Sequence, residues 1–149
     1  MRLAATSFIC EPDPANPGWL TWDVVDKARF NAAAMGKLLV RKESGDACRL
    51  CMIPGVQHAN LPGTVHGGVI LALADVSLFA TLWVLRQGET TGAVTLDLHS
   101  QFIGAGELDE PLDAVTEVIR QTRRLAFMRG TIEQGKNIVA AFSGTMRVA

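Results

Sequence analysis

The sequence predicts an α+β fold in which a curled antiparallel β-sheet wraps around one long central helix. The first observation is an apolar segment of helix length, residues 67–85, in which only Asp75, Ser77 and Thr81 are polar. The second is a series of four predicted strands after that segment, joined by connections short enough for hairpins. Because the helix is apolar on all sides, one sheet covers only part of it, and a second copy of the subunit would cover the rest.

The order of elements follows from prolines, turn residues and apolar periodicity. Three prolines make residues 1–18 an extended arm, and the apolar spacing predicts a short helix over Trp19–Asn31. We therefore predict an N-terminal arm with a short helix (1–35) and a main domain (36–149). Two predicted strands precede the long helix and four follow it: Leu38–Arg41, Ala47–Ile53, residues 94–102, Leu112–Gln121, Leu125–Glu133 and Ile138–Val148.

Composition and charge exclude several classes of protein. The 149 residues fit one folded chain with a core, since 48% are apolar and 19% charged. A net charge of −1 is not the basic footprint of a nucleic-acid-binding protein. Residues 67–85 approach the roughly 20 needed to span a bilayer, but Asp75 at their centre would cost about 2.5–3.5 kcal/mol on insertion. We expect neither a nucleic acid nor a membrane as partner.

The chain has three cysteines, Cys10, Cys48 and Cys51. A small and odd number of cysteines does not suit a disulfide framework. Cys48 and Cys51 have C-x-x-C spacing, but no second ligand pair follows, and a strand would point them to opposite faces. We expect no metal and no redox cofactor. The first residues make a poor signal peptide, so we expect a cytoplasmic protein.

Two glycines, Gly67 and Gly68, open the predicted helix although glycine is a poor helix former. The first N–H groups of a helix lack partners within it and lie at the positive end of its dipole. Without side chains, these groups are open to a ligand, which indicates an anion or oxyanion site. Close packing of the helix start is the alternative.

Asp75 lies in the helix interior among apolar neighbours one turn away. A buried carboxylate has a raised pKa, which suits a general base or nucleophile; a structural Asp bonded to a neighbouring strand is the alternative. Gly67 and Asp75 are eight residues apart, about 12 Å along a helix. The two can serve one carbon atom only if they come from different subunits, so that catalysis would require a dimer.

The sequence His66-Gly67-Gly68, followed at fixed distance by Asp75 and preceded by Asn60, resembles the hotdog-fold thioesterases of the PaaI and 4-hydroxybenzoyl-CoA thioesterase superfamily. Asn60 lies seven residues before Gly67 and Asp75 eight after it, and the element order agrees over roughly residues 36–149. The resemblance implies a hotdog fold and hydrolysis of an acyl-CoA thioester by a homodimer or a dimer-of-dimers tetramer. No cofactor is implied, because coenzyme A is part of the substrate.

The same resemblance implies roles for individual residues. Asp75 would be the general base or nucleophile, and the Gly67 N–H would hold the thioester carbonyl oxygen. Asn60 would orient the attacking water or help to place the thioester. Thr95, on the polar face of the strand after the helix, would assist in the site. His66 would support the site at the mouth of the helix.

Further substrate-binding candidates are Gly68, at the helix start, and Arg123 and Arg124, which cluster with Arg120 near a strand end. Arginine suits the geometry of the coenzyme A phosphates, and a solvated turn is the alternative. For His58, hydrogen bonding is a better interpretation than catalysis.

Two other functions fit the same fold. A hotdog dehydratase would need a catalytic His paired with a carboxylate in its own motif, which the sequence does not show. A non-catalytic acyl-CoA-binding module would have no need of a buried carboxylate. Aromatic, medium-chain and short-chain acyl groups are all compatible with the sequence, as are water attack and a covalent anhydride at Asp75.

Overall fold

The computed structural model describes residues 8–90 and 92–148 of the chain. Over these residues the chain forms one long helix, α1, and nine strands. In chain order the elements are β1 (Phe8–Ile9), β2 (Leu20–Thr21), β3 (Asp23–Val24), β4 (Leu38–Lys42), β5 (Ala47–Met52), α1 (Gly67–Leu85), β6 (Val94–Phe102), β7 (Leu112–Gln121), β8 (Leu125–Gln134) and β9 (Asn137–Arg147).

Seven strands form one antiparallel sheet in the order β2-β4-β5-β7-β8-β9-β6. The helix α1 packs on one face of this sheet and contacts strands from β4 to β9. The α+β prediction of an antiparallel sheet around one central helix is therefore confirmed. In this sheet β6 is an edge strand, because only β9 lies beside it.

The start of α1 is set by His66, whose backbone is extended (φ −62°, ψ 137°) and whose ring Nδ1 accepts the Gly68 N–H at 2.9 Å. The helix ends at Leu85, and Gly88 then adopts φ +90°, a left-handed conformation that favours glycine after a helix. By length and composition α1 could cross a membrane, but half of its most apolar stretch is buried within the subunit. This is how the core helix of a folded domain behaves.

The predicted helix over Trp19–Asn31 is wrong. Residues 20–21 pair with β4 and residues 23–24 pair with β1, while helical structure in this region is confined to the single wide turn Asn31–Met35. The helical spacing of apolar residues in this segment was overridden by tertiary contacts. Extended backbone gains partners at the edge of β4 and turns Trp22 inward.

Trp22 is 2% exposed and joins Phe8, Phe79 and Trp83 in an aromatic cluster with ring centroids 5.3–6.2 Å apart. The cluster attaches the N-terminal segment to the C-terminal half of α1. The predicted extended arm lies outside the described residues up to residue 7, and the division at residues 35 and 36 stays a prediction.

Candidate active site

Asp75 and Thr95 lie side by side, as the resemblance implied. The Thr95 hydroxyl donates a hydrogen bond to Asp75 Oδ1 at 2.8 Å, joining the middle of α1 to the start of β6. This bond orients the carboxylate and leaves its second oxygen free of this contact. The structure thus brings together two of the four predicted catalytic residues.

Thr95 reaches Asp75 because β6 contains a bulge at Leu96. Thr95 is paired with Met146 and Asp97 with Thr145, so that Leu96 is the extra residue of the strand. Uninterrupted alternation would place Thr95 on the opposite face from Leu98. The prediction of a polar face that carries Thr95 is therefore wrong: the bulge turns this residue toward the helix.

Asp75 is exposed in the subunit, not buried as the sequence suggested. The sheet covers α1 on most sides but leaves a stripe of Gly68, Leu71 and Asp75, spaced three and four residues apart, facing outward. Within one subunit the expectation of burial is not met, because one sheet covers the helix only in part; cover of the rest by a second subunit stays a prediction.

The two helix-opening glycines differ in their contacts. The Gly68 N–H is taken up by the His66 ring, whereas the Gly67 N–H has no hydrogen-bond acceptor among the described residues. A Cβ atom added at Gly67 would lie 3.4 Å from the Phe102 ring, which is an ordinary van der Waals contact. The open N–H group at the positive end of α1 is therefore that of Gly67, and His66 caps the helix beside it.

Asn60 forms a tight turn with Thr64. Its Nδ2 donates to Thr64 Oγ1 at 2.9 Å, its Oδ1 accepts the Thr64 N–H at 2.9 Å, and its backbone N–H donates to the Thr64 carbonyl at 2.8 Å. Within the subunit the amide therefore shapes the loop that leads into α1. This loop ends at His66, whose N–H bonds the His58 carbonyl at 2.8 Å.

Arg123 and Arg124 lie in the exposed turn between β7 and β8. Leu125, the first residue of β8, pairs with Arg147, which in turn pairs with Val94. Because neighbouring strands are about 4.8 Å apart, this turn lies about 10 Å from the start of β6. Both arginines are therefore at the end of the sheet where β6 begins.

Two polar residues near the site did not emerge from the sequence as site candidates. Ser100 lies on the helix-facing side of β6, and its Oγ is buried without a hydrogen-bond partner among the described residues. His58 is 3% exposed, and its ring bonds the Gly55 N–H at 2.9 Å and the Ala34 carbonyl at 2.8 Å. Alternation with Leu98 and Phe102 places Ser100 on the helix-facing side of β6, whereas only long-range packing reveals that the His58 ring bonds Ala34.

The cysteines do not form a metal site. Cys48 faces the helix, and Cys51 faces the other side of the sheet. Burial raises the pKa of the Cys48 thiol to about 11 and that of Cys51 to about 12, the latter with help from Asp113, so both thiols stay protonated near neutral pH. Among residues 8–90 and 92–148, no group of three His, Cys, Asp or Glu side chains is placed to hold a metal ion.

Comparisons with known proteins agree with this arrangement. The profile of the thioesterase superfamily matches residues 62–141, which include α1, β6, β7, β8 and the first five residues of β9. A provisionally named esterase of Pseudomonas aeruginosa is 32% identical over 92 residues, covering 62% of this chain and 68% of the relative. A similarly named esterase of Deinococcus radiodurans is 33% identical over 105 residues, covering 69% of this chain and 68% of the relative.

Solved structures show the same fold. A mutant of the phenylacetic acid degradation protein PaaI from Thermus thermophilus superposes with a TM-score of 0.67 at 26% identity, covering 80% of this chain and 98% of its own. The zebra fish thioesterase superfamily member 2 superposes with a TM-score of 0.71 at 22% identity, covering 83% of this chain and 89% of the zebra fish chain. The similarity to the zebra fish protein is one of fold alone.

Proposed function

Because the chain belongs to the thioesterase superfamily, we propose that it hydrolyses the thioester bond of an acyl-CoA. The observation that carries this proposal is the hydrogen-bonded pair of Asp75 and Thr95, together with the Gly67 N–H, which has no acceptor among the described residues. An oriented carboxylate and an unpaired N–H group are the two elements that thioester hydrolysis requires. A protein that only binds its ligand has no need of the oriented carboxylate.

In the proposed reaction the Gly67 N–H binds the thioester carbonyl oxygen and stabilises the negative charge that develops on it. Asp75, held by Thr95, takes a proton from a water molecule that attacks the carbonyl carbon. The carbon–sulfur bond then breaks, the acid is released, and the proton returns to the coenzyme A thiolate. Asn60 would help to orient the water once substrate is bound.

Direct attack by Asp75 is the second route to the same products. The carboxylate would form an anhydride with the acyl group and expel coenzyme A, and water would then hydrolyse the anhydride. Single turnover in oxygen-isotope-labelled water tests for the anhydride, because label enters the Asp75 side chain only when water attacks the Asp75 carboxyl carbon of that anhydride.

We propose that each site is shared between two subunits. Asp75 and Gly67 of one helix are about 12 Å apart, too far to act on one carbonyl carbon. The outward stripe on α1 and the free edge of β6 both support a second subunit at this surface. Leu96 and Phe102 in β6 are each 54% exposed and Ile103 is 60% exposed, an apolar edge that a partner would cover.

The remaining features concern substrate and compartment. Arg123 and Arg124 would bind coenzyme A phosphates, supported by their exposure at the end of the sheet where β6 begins. A cytoplasmic location is supported by the free state of Cys10, Cys48 and Cys51. We further propose that the assembly is a homodimer or a tetramer of two such dimers.

The decisive experiment is release of free thiol from a panel of acyl-CoA esters, comparing the wild type with Asp75→Ala. We expect kcat to fall by about 10²–10⁴-fold in the variant, the usual contribution of a general base. Asp97→Ala is the matched control, because it removes an exposed carboxylate from the outward face of β6. Folded protein that releases no thiol from any ester would overturn the proposed activity and favour an acyl-CoA-binding module.

A further inference from the structure

A cavity of about 460 Å³ opens beside the start of α1. Val69 and Ala72 of the helix form one wall, and Ala33 and Ala34 of the turn Asn31–Met35 form the opposite wall. This volume lies within the range of about 300–1,000 Å³ that is typical of small-molecule sites. The turn that forms the second wall comes from the N-terminal segment.

The lining of this cavity is mostly apolar, and its polar side chains are those of Gln57, His58 and His66. None of the described residues that line it is Asp, Glu, Lys or Arg. The His58 ring also borders the cavity, but both of its nitrogens are already engaged by Gly55 and Ala34. A charged group placed here would face mainly apolar walls, with only Gln57 and His66 offering polar groups, so the cavity favours an uncharged, apolar occupant.

The cavity adjoins the open N–H at the helix start. His66 and Gly68, the two neighbours of Gly67 in the chain, both lie on its lining. A carbonyl group held by the Gly67 N–H would therefore have the cavity at its side. Such a carbonyl carries the acyl chain on one side and the coenzyme A sulfur on the other, and mostly apolar walls suit the acyl chain better than the amide-containing arm of coenzyme A.

The wall opposite the helix is held in place by hydrogen bonds. The His58 ring bonds the Ala34 carbonyl at 2.8 Å, and the His58 carbonyl accepts the His66 N–H at 2.8 Å. One buried residue thus connects the turn that lines the cavity to the residue that caps α1. A preformed cavity costs little ordering free energy when a ligand enters.

We propose that this cavity binds the acyl group of the substrate, and that the preferred acyl-CoA carries an uncharged apolar acyl group long enough to enter it. Medium-chain and phenyl-substituted acyl groups meet this description, whereas acetyl and carboxylate-ended groups such as succinyl do not. The inference rests on the proposed thioesterase function and adds the substrate class to it.

The test compares acetyl-, hexanoyl-, phenylacetyl- and succinyl-CoA as substrates of the wild type and of two variants in which an alanine is replaced by leucine. Ala33→Leu places a larger side chain in the cavity. Ala32→Leu, its matched control, changes the preceding residue of the same turn, which lines a separate depression together with Thr21 and Leu38. Thermal denaturation of both variants verifies that they fold.

For the wild type we expect kcat/KM to rise about fourfold for each methylene that enters the cavity. Ala33→Leu should lower kcat/KM for hexanoyl-CoA at least tenfold, because misfit of one methylene group costs about 10–200-fold in kcat/KM. The same variant should change kcat/KM for acetyl-CoA by less than about twofold, because the acetyl group is too short to enter the cavity. Ala32→Leu should leave the profile unchanged. Equal profiles in both variants, or succinyl-CoA hydrolysed as well as hexanoyl-CoA, would overturn the proposal.

Binding of non-hydrolysable thioethers separates this inference from the proposed activity. If the wild type binds hexyl-coenzyme A more tightly than ethyl-coenzyme A in calorimetry, and Ala33→Leu abolishes the difference, the cavity binds apolar chains even in a protein that hydrolyses no ester. If esters are hydrolysed but Ala33→Leu changes neither selectivity nor thioether binding, the cavity proposal fails and the thioesterase proposal stands.

Discussion

Asp75 and Gly67 owe their proposed roles to their immediate hydrogen-bond surroundings. Asp75 accepts a hydrogen bond from Thr95 at 2.8 Å, which limits the carboxylate to one orientation. The His66 ring accepts the N–H of the next residue, Gly68, and no acceptor among the described residues takes up the Gly67 N–H. The cap thus satisfies one of the two helix-opening N–H groups and leaves the other for a ligand.

The Gly67 N–H can be removed without removing the helix start. Gly67→Pro deletes this hydrogen, and proline is well tolerated at the first position of a helix. His66 already has the extended backbone that a residue before proline requires. We expect a folded protein with kcat lowered by about 10²–10³-fold, the usual loss of one oxyanion donor.

Gly67→Ala is the control for this variant, because it retains the N–H and its Cβ would meet the Phe102 ring only at ordinary contact distance. Its thiol-release kinetics should stay near those of the wild type. Equal losses of activity in the alanine and proline variants would argue that the small side chain, and not the N–H, is what the site requires.

At the scale of elements, the N-terminal segment is part of the fold. Strand β2 extends the sheet beside β4, and the wide turn Asn31–Met35 forms a wall of the cavity. Trp22 is buried against Phe79 and Trp83 of α1. The free energy of burying these aromatic rings stabilises the short strands of this segment, which are too short to be stable alone.

Trp22→Ala should therefore lower the free energy of unfolding by about 3–5 kcal/mol, the usual cost of emptying a large core position. Trp19→Ala is the matched control, because Trp19 is only half-buried and stacks against Arg41 at 4.5 Å, a contact worth about 0.5–1 kcal/mol. Urea denaturation measures both. Similar small losses in the two variants would mean that the aromatic cluster contributes little.

At the scale of the whole molecule, the subunit leaves the helix and the edge of β6 uncovered in the same region. The exposed stripe on α1 includes Asp75, and the exposed residues of β6 include Leu96 and Phe102. A subunit that docked there would bring its own Gly67 toward the Asp75 of its partner. The proposed shared site and the proposed dimer are therefore one hypothesis.

Mixing inactive subunits tests this hypothesis. In a heterodimer of Asp75→Ala and Gly67→Pro chains, one shared site has lost both groups and the other retains both. Random exchange of equal amounts in a two-fold symmetric dimer should therefore restore about one quarter of wild-type activity. If mass spectrometry shows heterodimers but thiol release stays at the level of the parents, each site lies within one subunit.

Local patterns in the sequence determined the order and type of most elements. The long helix was predicted over His66–Arg86 and is found at Gly67–Leu85, and the six main strands lie within one or two residues of their predicted bounds. These features are local: apolar periodicity, glycine and turn residues act over a few neighbours. The family resemblance implied that Thr95 assists in a site around Asp75; the structure shows their hydrogen bond, and the catalytic roles of both residues stay predictions.

Only the tertiary structure decided the features that depend on distant partners. Trp22 lies in extended chain because β4 and the aromatic rings of α1 are there to receive it. Thr95 faces the helix because one extra residue, Leu96, interrupts an alternation that periodicity alone would continue. Asp75 is exposed because a single sheet cannot enclose an all-apolar helix. Each outcome follows from contacts between segments far apart in the chain, which local patterns do not encode.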